Sequence, residues 1–194
     1  MYLPNTKKYY FFGICWILLY SLWTLEFNIR FFGHRAVAPN IYKLFIPFFM
    51  SILYKSGIEC IGLDLSDNKH RAKLILGEEV SNLKWEKCDI TNYKDLKQIF
   101  VKNKPSAIIH LAGLQVPFCA SDPALGARVN VEGTINILQL AKEMGIKRTV
   151  YASSVAALGM PPQGPWKETL YGAYKQANEH TAYVFCADWD VPSI

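Results

Sequence analysis

The chain has 194 residues, of which 51% are hydrophobic and 19% charged, and its net charge is +5. This length allows one sizeable hydrophobic core but not two full domains. Lysines and arginines are spread along the chain, which argues against a nucleic-acid-binding protein.

The cysteine pattern indicates free thiols. The five cysteines, at positions 15, 60, 88, 119 and 186, form no CxxC pair and have no neighbouring histidine at the spacing of zinc ligands. We therefore expect a reducing, cytoplasmic location and neither a disulfide framework nor a metal site.

The N-terminal segment, residues 1–50, is aromatic and apolar. Tyr9 to Leu25 carry no charge and follow Lys7 and Lys8, which matches the minimum length and the basic flank of a membrane span. One interpretation is a membrane anchor at 9–25 with the remaining chain in the cytosol. The alternative is that these residues are not native to the fold that follows, which we expect to occupy residues 51–194.

After Gly57, short apolar runs alternate with stretches of helical spacing. Strands are predicted at 58–64, 84–89, 106–111 and 148–153, and helices at 92–102, 123–144 and 171–188, with a polar helical stretch between the first two strands. Such alternation implies parallel strands joined by right-handed crossovers. The predicted fold is α/β, a doubly wound parallel sheet that binds its ligands at the carboxyl ends of the strands.

Carboxylates end the first two predicted strands. Asp64 can accept hydrogen bonds from the ribose hydroxyls of a dinucleotide, or it is simply a turn aspartate. Asp89 can accept from an adenine amino group while Ile90 packs on the ring, or it belongs to a helix N-cap region leading into Thr91.

The third predicted strand ends in His110, Leu111, Ala112 and Gly113. The small residues Ala112 and Gly113 allow a ligand to approach the backbone closely. We expect His110 to be a packed core residue because it lies in an apolar strand.

A serine pair and a YxxxK motif form the strongest catalytic signal. Ser153 and Ser154 end the fourth predicted strand, and Tyr171 and Lys175 share one face of the next helix. A phenol near pKa 10 becomes a useful base if its pKa falls by about three units, which requires roughly 4 kcal/mol from nearby positive charge. Ser154 can align the reacting hydroxyl or carbonyl.

Two other tyrosines could be mistaken for the tyrosine of this motif. Tyr93 and Lys97 also fit YxxxK, but no serine at a strand end precedes them, so we interpret them as a solvated helix face. Tyr174 is adjacent to Lys175 and is expected to point away from it. The motif alone is therefore weak evidence, and its combination with Ser154 is much stronger.

Six stretches together resemble the extended short-chain dehydrogenase/reductases of the NAD-dependent epimerase/dehydratase kind, the group that includes the UDP-galactose 4-epimerases. They are LDLS at 63–66, CDIT at 88–91, HLAG at 110–113, NVEGTIN at 130–136, YASSVAALG at 151–159 and YGAYK at 171–175. The resemblance begins near Ser51 and continues to the last residue.

The resemblance implies a Rossmann fold with NAD as the cofactor. Asp64 would bind the ribose, and Asp89 with Ile90 would bind the adenine. The pyrophosphate and nicotinamide would lie along Leu111, Ala112 and Gly113. Asn130 would support the cofactor ribose, and Ser153 would line the substrate pocket. Ser154, Tyr171 and Lys175 would be the catalytic residues, with Tyr171 and Lys175 also touching the cofactor.

The implied activity is hydride transfer from a hydroxyl-bearing carbon of a sugar or nucleotide sugar to NAD, leading to oxidation, epimerisation or dehydration. Helices 123–144 and 171–188 would supply a homodimer interface. Two alternatives remain: a non-catalytic or vestigial nucleotide-binding chain, and a membrane-anchored member similar to sterol dehydrogenases.

The sequence also departs from the family pattern. The phosphate-binding GxxGxxG turn should fall near 37–45, where there is no glycine, and the end of the family's first helix is expected at 50–57. Gln115 replaces a lysine. We therefore expect the first strand with its glycine loop, and the C-terminal substrate domain, to be missing, and one apolar sheet edge to be exposed.

Overall fold

The computed structural model of the protein describes residues 45–158 and 168–194. Phe45–Ile194 form one compact unit. The predicted anchor at 9–25 lies outside the described residues, as does nearly all of the segment expected to replace the glycine turn. Among the described residues, no helix combines the length and apolar character needed to cross a bilayer.

Four short strands alternate with helices in the described chain. The strands are β1 (Ile61–Asp64), β2 (Lys84–Lys87), β3 (Ile108–His110) and β4 (Thr149–Tyr151). The α-helices are α1 (Phe45–Lys55), α2 (His70–Leu76), α3 (Tyr93–Asn103), α4 (Val116–Ser121), α5 (Pro123–Ala127), α6 (Gly133–Met144) and α7 (Leu170–Trp189). Gly77–Asn82 and Val155–Leu158 form 3₁₀ turns. All four predicted strands are present but shorter than expected, and α1 runs through the predicted boundary between residues 50 and 51.

The helix predicted at 123–144 is present as one helical run, but it is not α-helical throughout. A π-helical turn, Arg128–Glu132, separates α5 from α6. The interruption coincides with Asn130, whose side chain bonds to the backbone of Leu114 instead of facing solvent. Helix α4 was not predicted at all.

The strands form two parallel pairs. The first half-sheet pairs β1 with β2, from Ile61 opposite Lys84 to Asp64 opposite Lys87. The second pairs β3 with β4, from Ile108 opposite Thr149 to His110 opposite Tyr151. In the doubly wound strand order 3-2-1-4-5-6 these pairs flank the fold's first strand. Among the residues that the structure describes, no strand is placed between these pairs.

Two hydrophobic clusters lie beneath the helices. The larger cluster joins α3, β3, α6 and α7 and includes Leu96, Phe100, Ile137, Leu138 and Leu140. The smaller one joins α1 and α2 to the first half-sheet and consists of Met50, Ala72, Leu76 and Leu83. Leu63 of β1 packs against the larger cluster, so both half-sheets contribute to one core region.

Candidate active site

The turn after β4 and the start of α7 are packed together. Thr169 caps α7, since its Oγ1 accepts from the backbone N–H of Gly172 at 3.0 Å. A Cβ atom at Gly172 would overlap the carbonyl oxygen of Ala156. Only glycine allows this approach, which brings the Ser154 turn onto the first turn of the helix that carries Tyr171.

Lys175 is buried one helical turn after Tyr171 and is 7% exposed. Its Nζ donates to the carbonyl oxygen of Ala152 at 2.5 Å and lies 5.7 Å from the centroid of the Tyr171 ring. Burial lowers the pKa of Lys175, while the nearby Cys119 acts in the opposite direction.

Tyr171 differs electrostatically from the expectation. Burial raises the pKa of its phenol above the ordinary value of 10, and Cys119 raises it further, although hydrogen bonding with Ser154 and Gln115 lowers it. The expected lowering of the pKa is not seen because burial outweighs the hydrogen bonds. Tyr171 is therefore a protonated phenol at neutral pH.

Asn130 fixes the loop after β3. Its Oδ1 accepts from the N–H of Leu114 at 2.6 Å, and its Nδ2 donates to the carbonyl of the same residue at 2.9 Å. Its own carbonyl accepts from Thr134 Oγ1 at 2.7 Å and from Asn178 Nδ2 at 2.9 Å. The loop that carries Gly113 is thus tied to α6 and α7.

His110 is a core residue, as predicted. Its Nε2 lies 3.1 Å from Thr134 Oγ1. Because that hydroxyl donates its hydrogen to Asn130, His110 must carry the hydrogen on Nε2. Burial, followed by the charge of Lys175, lowers the pKa of His110 to about 4, so the ring is neutral at neutral pH.

The two predicted adenosine-binding carboxylates hold their own loops. Asp64 Oδ1 accepts from the N–H of Ser66 at 3.0 Å. Asp89 Oδ1 accepts from the N–H and the hydroxyl of Thr91 at 2.9 and 2.8 Å. These bonds agree with the interpretation of Asp64 as a turn aspartate and of Asp89 as part of a helix N-cap region. The cofactor contacts of both residues remain predictions.

The described residues fit the two ends of a dinucleotide. At the second half-sheet, a Cβ at Gly113 would stand 3.3 Å from Asn130 Oδ1 and 3.9 Å from Lys175 Nζ, so the backbone of Gly113 lies close to Asn130 and to a cation. At the first half-sheet the acceptors Asp64 and Asp89 follow adjacent strands. Between them, Ile90, Leu111 and Ala112 line a cavity of about 550 Å³. No group of acidic, histidine or cysteine side chains in the described residues could hold a metal ion.

Sequence reasoning missed two residues near the candidate site. Glu179 hydrogen-bonds to the hydroxyl of Ser153, and Cys119 lies fully buried with its Sγ 3.4 Å from Asn130 Nδ2. Glu179 follows Lys175 by four residues, a spacing that could have placed it on the same helix face. No sequence signal distinguishes Cys119.

The two imitating tyrosines lie away from the cluster. Tyr174 donates its hydroxyl to the carbonyl of Pro123 at 2.9 Å. Tyr93 donates to Glu143 at 2.6 Å, and Lys97 pairs with the same carboxylate at 2.8 Å. The second YxxxK motif, Tyr93 with Lys97, therefore links α3 to α6 at the surface.

Comparison with known proteins gives a consistent result. UDP-glucose 4-epimerase 2 of Arabidopsis thaliana is 30% identical over 60% of this chain and 35% of its own length. The UDP-glucuronate 4-epimerase of Thermodesulfobacterium geofontis is 32% identical over 69% of this chain and 45% of its own. The structure of Thermus thermophilus UDP-glucose 4-epimerase in complex with NAD superposes with a TM-score of 0.64, at 24% identity, over 76% of this chain and 49% of that one.

The chain thus spans less than half the length of these relatives. Their shared fold confirms the predicted doubly wound Rossmann architecture, and NAD is confirmed as the cofactor of the family. The family profile matches residues 49–194, and we conclude that this chain belongs to the NAD dependent epimerase/dehydratase family.

Proposed function

We propose that the chain forms the NAD-binding part of an oxidoreductase that acts on a hydroxyl-bearing carbon of a sugar or nucleotide sugar. The observation that carries this proposal is the convergence of Ser154, Tyr171 and Lys175 where β4 meets α7. Relatives named as UDP-glucose and UDP-glucuronate 4-epimerases support the substrate class.

Each residue of this cluster has a distinct task. Tyr171 exchanges a proton with the substrate hydroxyl through its phenol oxygen, and Ser154 hydrogen-bonds the same hydroxyl or the resulting carbonyl. Lys175 provides positive charge beside the phenol, which favours the phenolate and opposes the effect of burial. NAD, when bound, supplies the hydride acceptor and a further positive charge on its nicotinamide ring.

Other residues would hold the cofactor. Asp64 would bind the adenosine ribose, Asp89 and Ile90 the adenine, and the backbone from Leu111 to Gly113 the pyrophosphate and nicotinamide side. Asn130 keeps that backbone in place, while Ser153 would face the substrate.

The test is to titrate the full chain with NAD by calorimetry and then to add UDP-glucose or UDP-glucuronate while following reduced nicotinamide by absorbance. We expect Tyr171→Phe to slow this reaction by a factor on the order of 10²–10⁴ with little change in NAD affinity. Tyr174→Phe is the matched control, since its hydroxyl bonds to Pro123, and should leave both quantities unchanged.

Two results would contradict the proposal. One is failure of the folded chain to bind NAD. The other is turnover by Tyr171→Phe at the rate of the unmodified chain. Tight NAD binding without turnover in any form would favour the non-catalytic alternative.

We also propose that the protein forms a homodimer through α6 and α7, with Tyr183 at the interface. This tyrosine is 75% exposed, and the neighbouring Val184 is 44% exposed, an apolar pair that a second copy could cover. Sedimentation should show a dimer that Tyr183→Glu dissociates. A monomer at all concentrations would contradict it.

A further inference from the structure

The loop between β2 and α3, which contains Asp89 and Ile90, is held by one face of α6. The Nδ2 of Asn136 donates to the carbonyl oxygen of Ile90 at 2.9 Å. A Cβ atom at Gly133 would stand 2.5 Å from Cδ1 of Ile90, so the side chain of Ile90 rests on that glycine. Gly133 and Asn136 are three residues apart and therefore share a helix face. One face of α6 thus contacts both the carbonyl group and the side chain of Ile90.

The peptide unit that joins Ile90 to Thr91 is hydrogen-bonded on both of its sides. Its carbonyl oxygen accepts from Asn136, and its N–H donates to Oδ1 of Asp89 at 2.9 Å. The hydroxyl of Thr91 donates to the same carboxylate oxygen at 2.8 Å. Because a peptide unit is planar, a rotation that breaks the bond to Asn136 also turns the N–H of Thr91 away from Asp89. Asn136 therefore influences the orientation of the Asp89 carboxylate through one rigid group.

This bond is not needed to hold α3 against α6. Those helices are linked independently, because Tyr93 donates to Glu143 and Lys97 pairs with the same carboxylate. The effect of Asn136 is therefore local to the Ile90–Thr91 peptide unit and to the carboxylate bonded to it.

We propose that Asn136 is a positioning residue for adenine recognition. Oδ1 of Asp89 accepts both bonds from Thr91, which assigns Oδ2 to the exocyclic amino group of adenine. Asn136 fixes the direction in which Oδ2 points, and so it sets the preference for adenine over a base with a carbonyl group at the same position. This inference rests on the proposed function, in which Asp89 and Ile90 bind the adenine of NAD.

The first test compares two dinucleotides by calorimetric titration of the full chain. The probes are NAD and nicotinamide hypoxanthine dinucleotide, whose base carries an oxygen in place of the amino group. We call the ratio of their dissociation constants the base preference. A hydrogen bond to a carboxylate implies a base preference of about tenfold or more for NAD in the unmodified chain. Asn136→Ala should weaken NAD binding, leave the analogue nearly unaffected and reduce the base preference to below about threefold.

Gln139→Ala is the matched control. Gln139 lies one turn further along α6, and its Nε2 donates to Glu143 of the same helix at 3.0 Å. Alanine is a better helix former than asparagine or glutamine, so α6 should stay folded in both variants. Gln139→Ala should keep the base preference. A general loss of stability would weaken the binding of both dinucleotides alike and would leave the base preference unchanged.

Two further measurements test whether Asn136 acts through Asp89. Asp89→Ala should abolish the base preference, and adding Asn136→Ala should change it no further. In the absence of cofactor, the amide of Thr91 should exchange its hydrogen about fivefold faster in Asn136→Ala. The amide of Leu96, which donates to the carbonyl of Asn92, should exchange at an unchanged rate.

Several outcomes would overturn this inference alone while NAD still binds. They are equal binding of both dinucleotides by the unmodified chain, an unchanged base preference in Asn136→Ala, an equal fall in Gln139→Ala, a further fall when Asn136→Ala is added to Asp89→Ala, and unchanged exchange at Thr91. Failure of the folded, unmodified chain to bind either dinucleotide would overturn the proposed function together with this inference.

Discussion

The side chain of Asn130 is at the centre of the hydrogen bonds beside Tyr171 and Lys175. Both ends of its amide bond to the backbone of Leu114, and the residue is 1% exposed. The family resemblance assigns Asn130 to the cofactor ribose, and that role stays a prediction. In the structure, its side chain positions a neighbouring loop. It holds the loop that a cofactor would touch.

We predict that Asn130→Ala lowers the free energy of unfolding by about 2–3 kcal/mol, because it leaves the N–H and the carbonyl of Leu114 without partners. Asn103→Ala is the control, since its Nδ2 donates to the carbonyl of Ile99 within the same helix, and should cost less than about 1 kcal/mol. Urea denaturation measures both. Equal losses would contradict the assigned role of Asn130.

A second residue-scale prediction concerns pH and His110. Its pKa is about 4 in the folded protein against an ordinary value of 6.5, so the unfolded chain binds more protons between these values. Stability should therefore fall as the pH falls below 6.5, by about 2 kcal/mol at pH 5. The ring faces Thr134 and Lys175, and charging it beside the buried ammonium is unfavourable.

Denaturation at pH 7 and pH 5 checks this. His110→Gln should remove most of the difference, whereas His180→Gln, at an exposed position, should preserve it. The strongly lowered pKa of Glu143, about 2 against 4.5, affects stability only at lower pH and does not overlap this window. A pH dependence that His110→Gln leaves intact would contradict the prediction.

At the residue scale, sequence reasoning identified the groups with recognisable chemistry but not their surroundings. Ser154, Tyr171 and Lys175 were identified from a serine at a strand end followed by YxxxK, and the structure brings them together. The direction of the Tyr171 pKa was not predictable, because it depends on how deeply α7 packs. The contribution of Cys119 was invisible for the same reason.

At the scale of elements, the approach of α7 to the Ser154 turn is the tightest contact of the candidate site. We predict that Gly172→Ala costs about 3 kcal/mol, because the new methyl group meets a backbone carbonyl that cannot move without displacing Val155–Leu158.

Gly133→Ala is the matched control. There a Cβ would lie 2.5 Å from Cδ1 and 2.8 Å from Cγ1 of Ile90, a side chain that can change rotamer, and the gain in helix propensity offsets about 1 kcal/mol. We expect a net change below about 1 kcal/mol by thermal denaturation. An equal loss of stability in the two variants would contradict this prediction, because a movable side chain and a backbone carbonyl would then hinder the new methyl group equally.

The element boundaries show what periodicity can and cannot reveal. Apolar runs found all four strands because each packs beneath helices, and Gly145 ends α6 in the left-handed conformation, as its position predicts. The π-helical turn was missed because it depends on the contact between Asn130 and Leu114, which the local sequence does not encode.

At the scale of the whole molecule, the two hydrophobic clusters predict two levels of stability. Amides of α1, α2 and the first half-sheet should exchange with solvent at a lower opening free energy than those of α6, α7 and the second half-sheet, because the smaller cluster buries far fewer residues. Native-state hydrogen exchange measures this directly.

A pair of core variants sharpens the test. Leu83→Ala, in the smaller cluster, should destabilise only the first half-sheet, whereas Leu140→Ala, in the larger one, should destabilise both, each by about 2–5 kcal/mol. A single opening free energy for all slow amides would contradict this division.

The fold class itself was predictable because alternating strands and helices leave few allowed topologies. What the sequence did not reveal is how the two hydrophobic clusters are shared between the half-sheets. Leu63 pairs with β2 in the first half-sheet but packs against the larger cluster, and the short apolar run of β1 does not encode that contact.

The parallel pairing of both half-sheets also determines how the chain can fold. Neither pair can form as a hairpin, because each strand must wait for the helices that connect it to its partner, and distant pairing of this kind is slow. During synthesis the first half-sheet and its two helices can assemble while β4 is still within the ribosome. The edge of β3 that pairs with β4 then stays exposed until Thr149–Tyr151 emerge. During that interval it can pair with other nascent chains, which leads to aggregation.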